Sequence, residues 1–181
     1  RSRETWLRIR KSKTAMLGLI IMSIIMLIVI FADVLVDYES QVIVPDMKNR
    51  LQAPNSNYPL GTDAMGRDIL VRLIYGTRIS IIVAISAVTL QVLGGVTLGS
   101  IAGFWGGKVE GIIMRIVDIF LAIPNLLLSI TIAAALGQSL INMILAIGVS
   151  GIPAMTRIVR AAALTVREQD YMEAGRALGA K

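Results

Sequence analysis

The chain has 181 residues, of which 55% are hydrophobic and only 17% charged, with a mean hydropathy of +0.73. A water-soluble domain of this size keeps more charge on its surface, so most of the chain calls for a bilayer as solvent. Cys and His are both absent, which removes a disulfide framework, a thiolate nucleophile, Cys-ligated metals and the usual neutral-pH proton shuttle. The net charge of +6 is not a nucleic-acid signal, because six of the eighteen cations stand in the first thirteen residues, just before the first apolar run.

That basic tail occupies residues 1–14. The first apolar run, Ala15 to Val36, is about 33 Å long as a helix and carries Asp33 as its only charge. It lacks the short apolar core and small-residue cleavage site of a signal peptide, so it reads as a retained transmembrane span. Residues 37–78 form a polar loop with five cations and five anions. Within it, Tyr58-Pro59-Leu60-Gly61 is turn chemistry. Thr62 or Asp63 is placed to cap a short helix over Ile69 to Ile74, predicted to lie in the membrane interface.

The remainder, residues 79–181, predicts three more spans. The first covers about 79–104 and carries Gly95, Gly99 and Gly103 at i, i+4 and i+8, a ridge suited to close helix packing. The next covers about 112–136, with Arg115 and Asp118 spaced to pair on one face. Gly137-Gln138-Ser139 breaks the chain, and the last span, about 140–155, is interrupted by Gly148, Gly151 and Pro153. Residues 156–181 are again basic. Four spans from a cytoplasmic N-terminus return this segment to the cytoplasmic side, which fits the distribution of Lys and Arg.

Chemistry is sparse. The Gly148-Val149-Ser150-Gly151 run resembles the serine motif of rhomboid-type intramembrane proteases, but without a His to activate the serine it reads as a small-residue packing site. Mid-span polarity is limited to Gln91, Asn125 and Asn142, which either line a translocation path or bond across helices. No carboxylate relay and no phosphate-binding loop is visible, so active transport would draw its energy from a partner. Near the end, Asp170-Tyr171-Met172-Glu173 has the spacing of a capping box. Ala174, Gly175 and Ala177 then form a helix of little bulk that Gly179 can close.

Glu173-Ala174-Gly175-Arg176-Ala177-Leu178-Gly179 resembles the cytoplasmic Glu-Ala-Ala-x-x-x-Gly motif of ABC importer permeases. Arg160, Leu164, Arg167, Glu168, Asp170 and Tyr171 are similar to the dipeptide, oligopeptide and nickel branch of that family. So are the loop run from Leu60 to Asp68, its continuation from Leu73 to Ser80, and the stretch from Trp6 to Gly18. The resemblance implies an all-α polytopic fold: a peripheral span followed by part of a type-1 ABC transmembrane domain. It implies a permease subunit that passes di- or oligopeptides, with nickel or another small solute as the alternative cargo. A non-transporting channel or membrane anchor is the alternative of a different class.

The partners implied are a homologous second permease, two ABC ATPase subunits, an extracytoplasmic substrate-binding protein and membrane lipid. ATP and Mg would sit on the ATPases; no cofactor and no catalytic residue is expected on this chain. Asp170, Tyr171, Glu173, Ala174, Gly175 and Gly179 would couple to an ATPase. Gly61, Thr62, Asp63, Gly66, Arg67 and Asp68 would either dock the binding protein or build the loop. Two departures stand out: Gly175 replaces the usual second Ala, and the family's later Ile-x-Leu-Pro element and two further spans have no counterpart, so the sequence reads as a fragment.

Overall fold

Ser12 caps the first long helix of the described residues, α1 (Lys13–Leu35): its hydroxyl accepts the Ala15 N–H at 3.3 Å. The computed structural model describes residues 10–36 and 42–179, the side chains of Glu173 and Arg176 excepted. Arg1, Arg3, Trp6 and Arg8 of the N-terminal segment, Asp37 and Lys181 lie outside the described residues. Two compact units are formed, residues 1–82 and 83–181.

In the first unit, α1 exposes Leu, Ile and Met side chains along nearly its whole length, as a helix solvated by lipid does. Its one acid, Asp33, accepts an ion pair from Arg78. Arg78 belongs to α2 (Ile69–Trp105), a single helix of 37 residues and about 55 Å. Here the structure corrects the sequence-based expectation of a separate interfacial helix ahead of a span starting at Ile79. No proline interrupts the run, and Thr77 and Ser80 donate their hydroxyl protons to the carbonyls of Leu73 and Gly76 at 2.7 and 2.9 Å. Those polar side chains are absorbed by the helix and do not end it. The cap is Asp68, whose carboxylate accepts the Leu70 N–H at 2.8 Å, rather than Thr62 or Asp63.

In the second unit, the expected 112–136 span is two helices, α3 (Gly107–Leu121) and α4 (Asn125–Leu136), bent by 86°. Pro124 explains the break. It has no N–H to donate, and its ring disfavours helical backbone at Ile123. The Pro124 carbonyl instead accepts the Leu128 N–H at 3.0 Å and opens α4. Gly137, at φ +85°, then turns the chain into α5 (Leu140–Arg167), which Ser139 caps through the Asn142 N–H at 3.0 Å.

The expected interruption of α5 does not occur: the helix runs 28 residues through Gly148, Gly151 and Pro153. Those small residues are buried. Gly148 lies against Leu90 and Gly151 against the Gln91 side chain, so the α2 contact supports the helix where its own bonding is weakest. A last helix, α6 (Asp170–Ala177), follows a two-residue break.

Gly95, Gly99 and Gly103 face α5. A Cβ at Gly99 would stand 2.7 Å from the Thr156 carbonyl oxygen and 2.7 Å from Val159 Cβ. One at Gly103 would stand 2.5 Å from Ala163 Cβ. Gly76 has nothing within 4 Å of an added Cβ. Gly99→Leu should therefore lower thermal stability strongly, by more than the roughly 1–3 kcal/mol of ordinary overpacking because backbone blocks the way, while Gly76→Ala should leave it unchanged. Thermal unfolding of the two variants in the same detergent tests this ordering.

Candidate functional site

Among the described residues, polar side chains meet in both units. In the first unit, residues 46–68 fold into a tight loop around Asp63. Its carboxylate accepts the backbone N–H groups of Met65 at 2.8 Å and Arg67 at 3.0 Å. It also accepts Arg67 Nε at 2.9 Å and pairs with Arg72 at 2.5 Å. The backbone N–H of Arg67 beside it is the main reason its carboxyl is held far below the ordinary carboxylate range.

Thr62 is nearly fully buried. Its hydroxyl accepts the Gln52 N–H at 2.8 Å and donates to the Asn49 carbonyl. Gly61 and Gly66 have φ of +76° and +77°, and a side chain at Gly66 would collide with the Asp46 backbone. Asp68 caps α2. Gly61, Thr62, Asp63, Gly66, Arg67 and Asp68 are thus each used by the loop's own architecture. Beyond these, an amide chain runs from Asp46 to Asn49 at 2.6 Å and from Asn49 to Gln52 at 2.6 Å. Sequence reasoning missed this chain, because its members look like ordinary loop composition.

In the second unit, Gln91 donates from Nε2 to the Ile147 carbonyl at 3.1 Å, a bond from α2 to α5. Asn142 donates to the carbonyls of Leu136 and Gly137 at 2.7 and 3.1 Å, closing the C-terminus of α4. Asn125 is exposed in the first turn of α4. The three are not brought together into one site. The expected Arg115–Asp118 pair is also corrected: Asp118 pairs with Arg157 of α5. Eight residues earlier on α3, Glu110 accepts Arg160 Nε at 2.6 Å. Neither partner was legible, since nothing local marks residues 39 and 50 positions away as neighbours.

The α6 segment begins with Asp170 already helical, one place ahead of the capping-box register. Leu178 N–H bonds to the Ala174 carbonyl at 3.1 Å, and Gly179 leaves the helix at φ +91°. Tyr171, Met172 and Gly175 border an open, mostly apolar cleft of about 550 Å³ whose other wall includes Phe104 and Val166. Ala174 and Ala177 are exposed, so α6 offers a surface of small side chains. The side chain of Glu173 lies outside the described residues.

Among the described residues, three helices long and apolar enough to cross a membrane, with the bent α3–α4 pair as a further candidate, define a multi-pass all-α membrane protein. Residues 95–181 match the family model of the binding-protein-dependent transport system inner membrane component, and residues 1–54 that of the N-terminal TM domain of oligopeptide transport permease C. Over residues 95–181 the chain belongs to this family of type-1 ABC membrane components.

It is 42% identical over 179 residues to the dipeptide transport system permease protein of Alkalihalophilus pseudofirmus, and 41% identical over 179 residues to the oligopeptide transport system permease protein of Bacillus subtilis. Each match covers 99% of this chain. A glutathione transport system permease protein of Pectobacterium atrosepticum is 34% identical over 178 residues, 98% of this chain and 59% of that protein. The chain spans 58% of the length of the first two relatives.

Asp63 supports a pH prediction. A carboxyl with a lowered folded pKa stabilises the loop above the ordinary carboxylate pKa of about 4, and that contribution is lost only as pH falls through the lower folded value. The loop should therefore resist limited proteolysis equally at pH 7 and pH 5. Asp63→Asn should be cut several-fold faster at both.

Proposed function

We propose that this chain forms part of the permease subunit of an ATP-driven importer of di- or oligopeptides. The match to dipeptide and oligopeptide permeases across 99% of the chain carries this reading. The described geometry supports it in two respects. The helices expose apolar side chains to lipid, and Gln91 and Asn142 bond from one helix to another rather than meeting in a reaction centre.

In this reading the N-terminus is cytoplasmic, in the inner or plasma membrane of a bacterium or archaeon. The chain pairs with a homologous permease, two ABC ATPases and an extracytoplasmic binding protein. It binds no cofactor and hydrolyses nothing; ATP and Mg belong to the ATPases. When the ATPases close on ATP, α6 transmits their motion. The short α5–α6 break makes that transmission direct: α5 is one helix, packed on α2 through glycines and held to α3 through Glu110–Arg160 and Asp118–Arg157. Displacing α6 would move three helices rather than one. The loop around Asp63 faces the binding protein as a preformed surface.

A single Ala177→Cys, in a complex whose other cysteines have been replaced, gives a clean reporter. It should be labelled by an impermeant maleimide only from the cytoplasmic side and should cross-link to an ATPase subunit. Labelling from the outside would overturn the orientation.

A further inference from the structure

Two ion pairs, Glu110–Arg160 and Asp118–Arg157, join α3 to α5 at successive places along α3. Beside them lie two clefts of about 470 and 530 Å³ that have Gly111, Met114 and Asp118 in common. Together they follow α3 from Gly107 to Ala122, about 22 Å along the helix axis. Gly111 leaves the floor bare: an added Cβ there would meet nothing within 4 Å. The result is one furrow along a helix, with charges of both signs set into it.

The depth of this furrow decides what can fill it. A Cβ at Gly99 would meet the Thr156 carbonyl and the Arg160 nitrogen, which sets Arg157 level with Gly99. That level is six residues, about 9 Å, before Trp105 at the end of α2. On either side of it α2 exposes Val96 and Phe104. By helical spacing Ile116 and Phe120 lie on the face of α3 opposite Asp118, and both are exposed. Apolar side chains open to the surroundings at this depth mark the hydrocarbon level. At the same depth the side chains of Asp118 and Arg157 are 60% and 53% exposed. Charges so placed face a bundle interior or a water-filled cavity, not acyl chains. A protein partner is the poorer cover, because both carboxylates are already paired within this chain. Burying the pairs would cost their hydration and add no bond to either acid.

We propose that the furrow between α3 and α5 is water-filled and forms one wall of the path taken by the cargo, in the half of the membrane nearer α6. The proposal rests on the transport reading above. It places the path on charged residues of α3 and α5 rather than on Gln91, Asn125 and Asn142, which close helix contacts or stand apart. Mutually neutralised charges of both signs suit a zwitterionic peptide, since they solvate either terminus without holding it fast.

The test uses the assembled importer with the full-length permease, its other cysteines replaced. Single cysteines are introduced in the furrow, as Gly111→Cys and Ala122→Cys, and on the opposite face of α3, as Ile116→Cys and Phe120→Cys. All four positions are exposed, so the substitutions leave the packing intact. Labelling by sulfonatoethyl methanethiosulfonate is timed in nanodiscs, nucleotide-free and with ATP and vanadate, and uptake of trialanine is measured in vesicles. In at least one state the furrow cysteines should react about tenfold faster than the opposite pair, because the reactive thiolate forms in water and not in hydrocarbon. Their modification should block trialanine uptake. Furrow cysteines as slow as the opposite pair in both states would overturn the proposal, since lipid or protein would then cover the furrow. Fast labelling that leaves uptake unchanged would overturn the path and leave a crevice beside it. If the unmodified importer carries no trialanine, the transport reading fails and the path with it, while the labelling rates still decide whether the furrow holds water.

Discussion

The second unit depends on how closely α2 can approach α5. Two helices meet backbone to backbone only where side chains are missing from the crossing, and between hydrocarbon-solvated helices that contact must replace the hydrophobic drive available in water. Gly94, Gly95, Gly99 and Gly103 on one helix, and Gly148 and Gly151 on the other, clear the crossing from both sides. Leu90, Gln91, Ile152, Met155 and Val159 fill the space so created. Thr156 lies fully buried in this contact, its hydroxyl bonded to the Ile152 carbonyl at 2.8 Å.

Much else follows from that crossing. Because α5 is supported along α2, it can pass through Pro153 without breaking, and it reaches the start of α6 as one piece. The charges then act at the other flank of α5. Arg157 and Arg160 turn toward α3 and bond to acids, which fixes α3 without any small-residue ridge on that side. Glycine packing and ion pairing thus divide the two flanks of a single helix between them. The first unit is organised differently, by one buried hydroxyl and one carboxylate that together satisfy a turn-rich backbone.

What the sequence discloses about this fold depends on whether the cause is local. Helix existence is legible from apolar runs, and the glycines of α2 fall on one ridge by spacing alone. Which helix meets that ridge is not in the spacing. The merger of the predicted interfacial helix into α2 is hidden because Arg72, Thr77 and Arg78 look like a break, although each finds its partner with the helix intact. The α3–α4 bend has a visible cause in Pro124, but whether a proline bends a membrane helix or ends it depends on what receives the freed carbonyls. Asp118 shows the limit most clearly: its local partner Arg115 is three residues away, and a partner on another helix wins. The loop residues from Gly61 to Asp68 are legible as a set, yet their mutual roles come from contacts with Asp46, Asn49 and Gln52, which no motif contains.

The α2–α5 crossing can be measured directly by oxidation of paired cysteines. Gly103→Cys with Ala163→Cys places the two sulfurs across the crossing, where the helices need part by only about 1 Å to reach disulfide geometry. Leu93→Cys with Ile158→Cys places them on exposed positions of the same two helices. Rapid and near-complete cross-linking of the first pair with little of the second is the expected result. Equal cross-linking of both pairs, or none at Gly103 and Ala163, would contradict the glycine-lined crossing on which the unit is built.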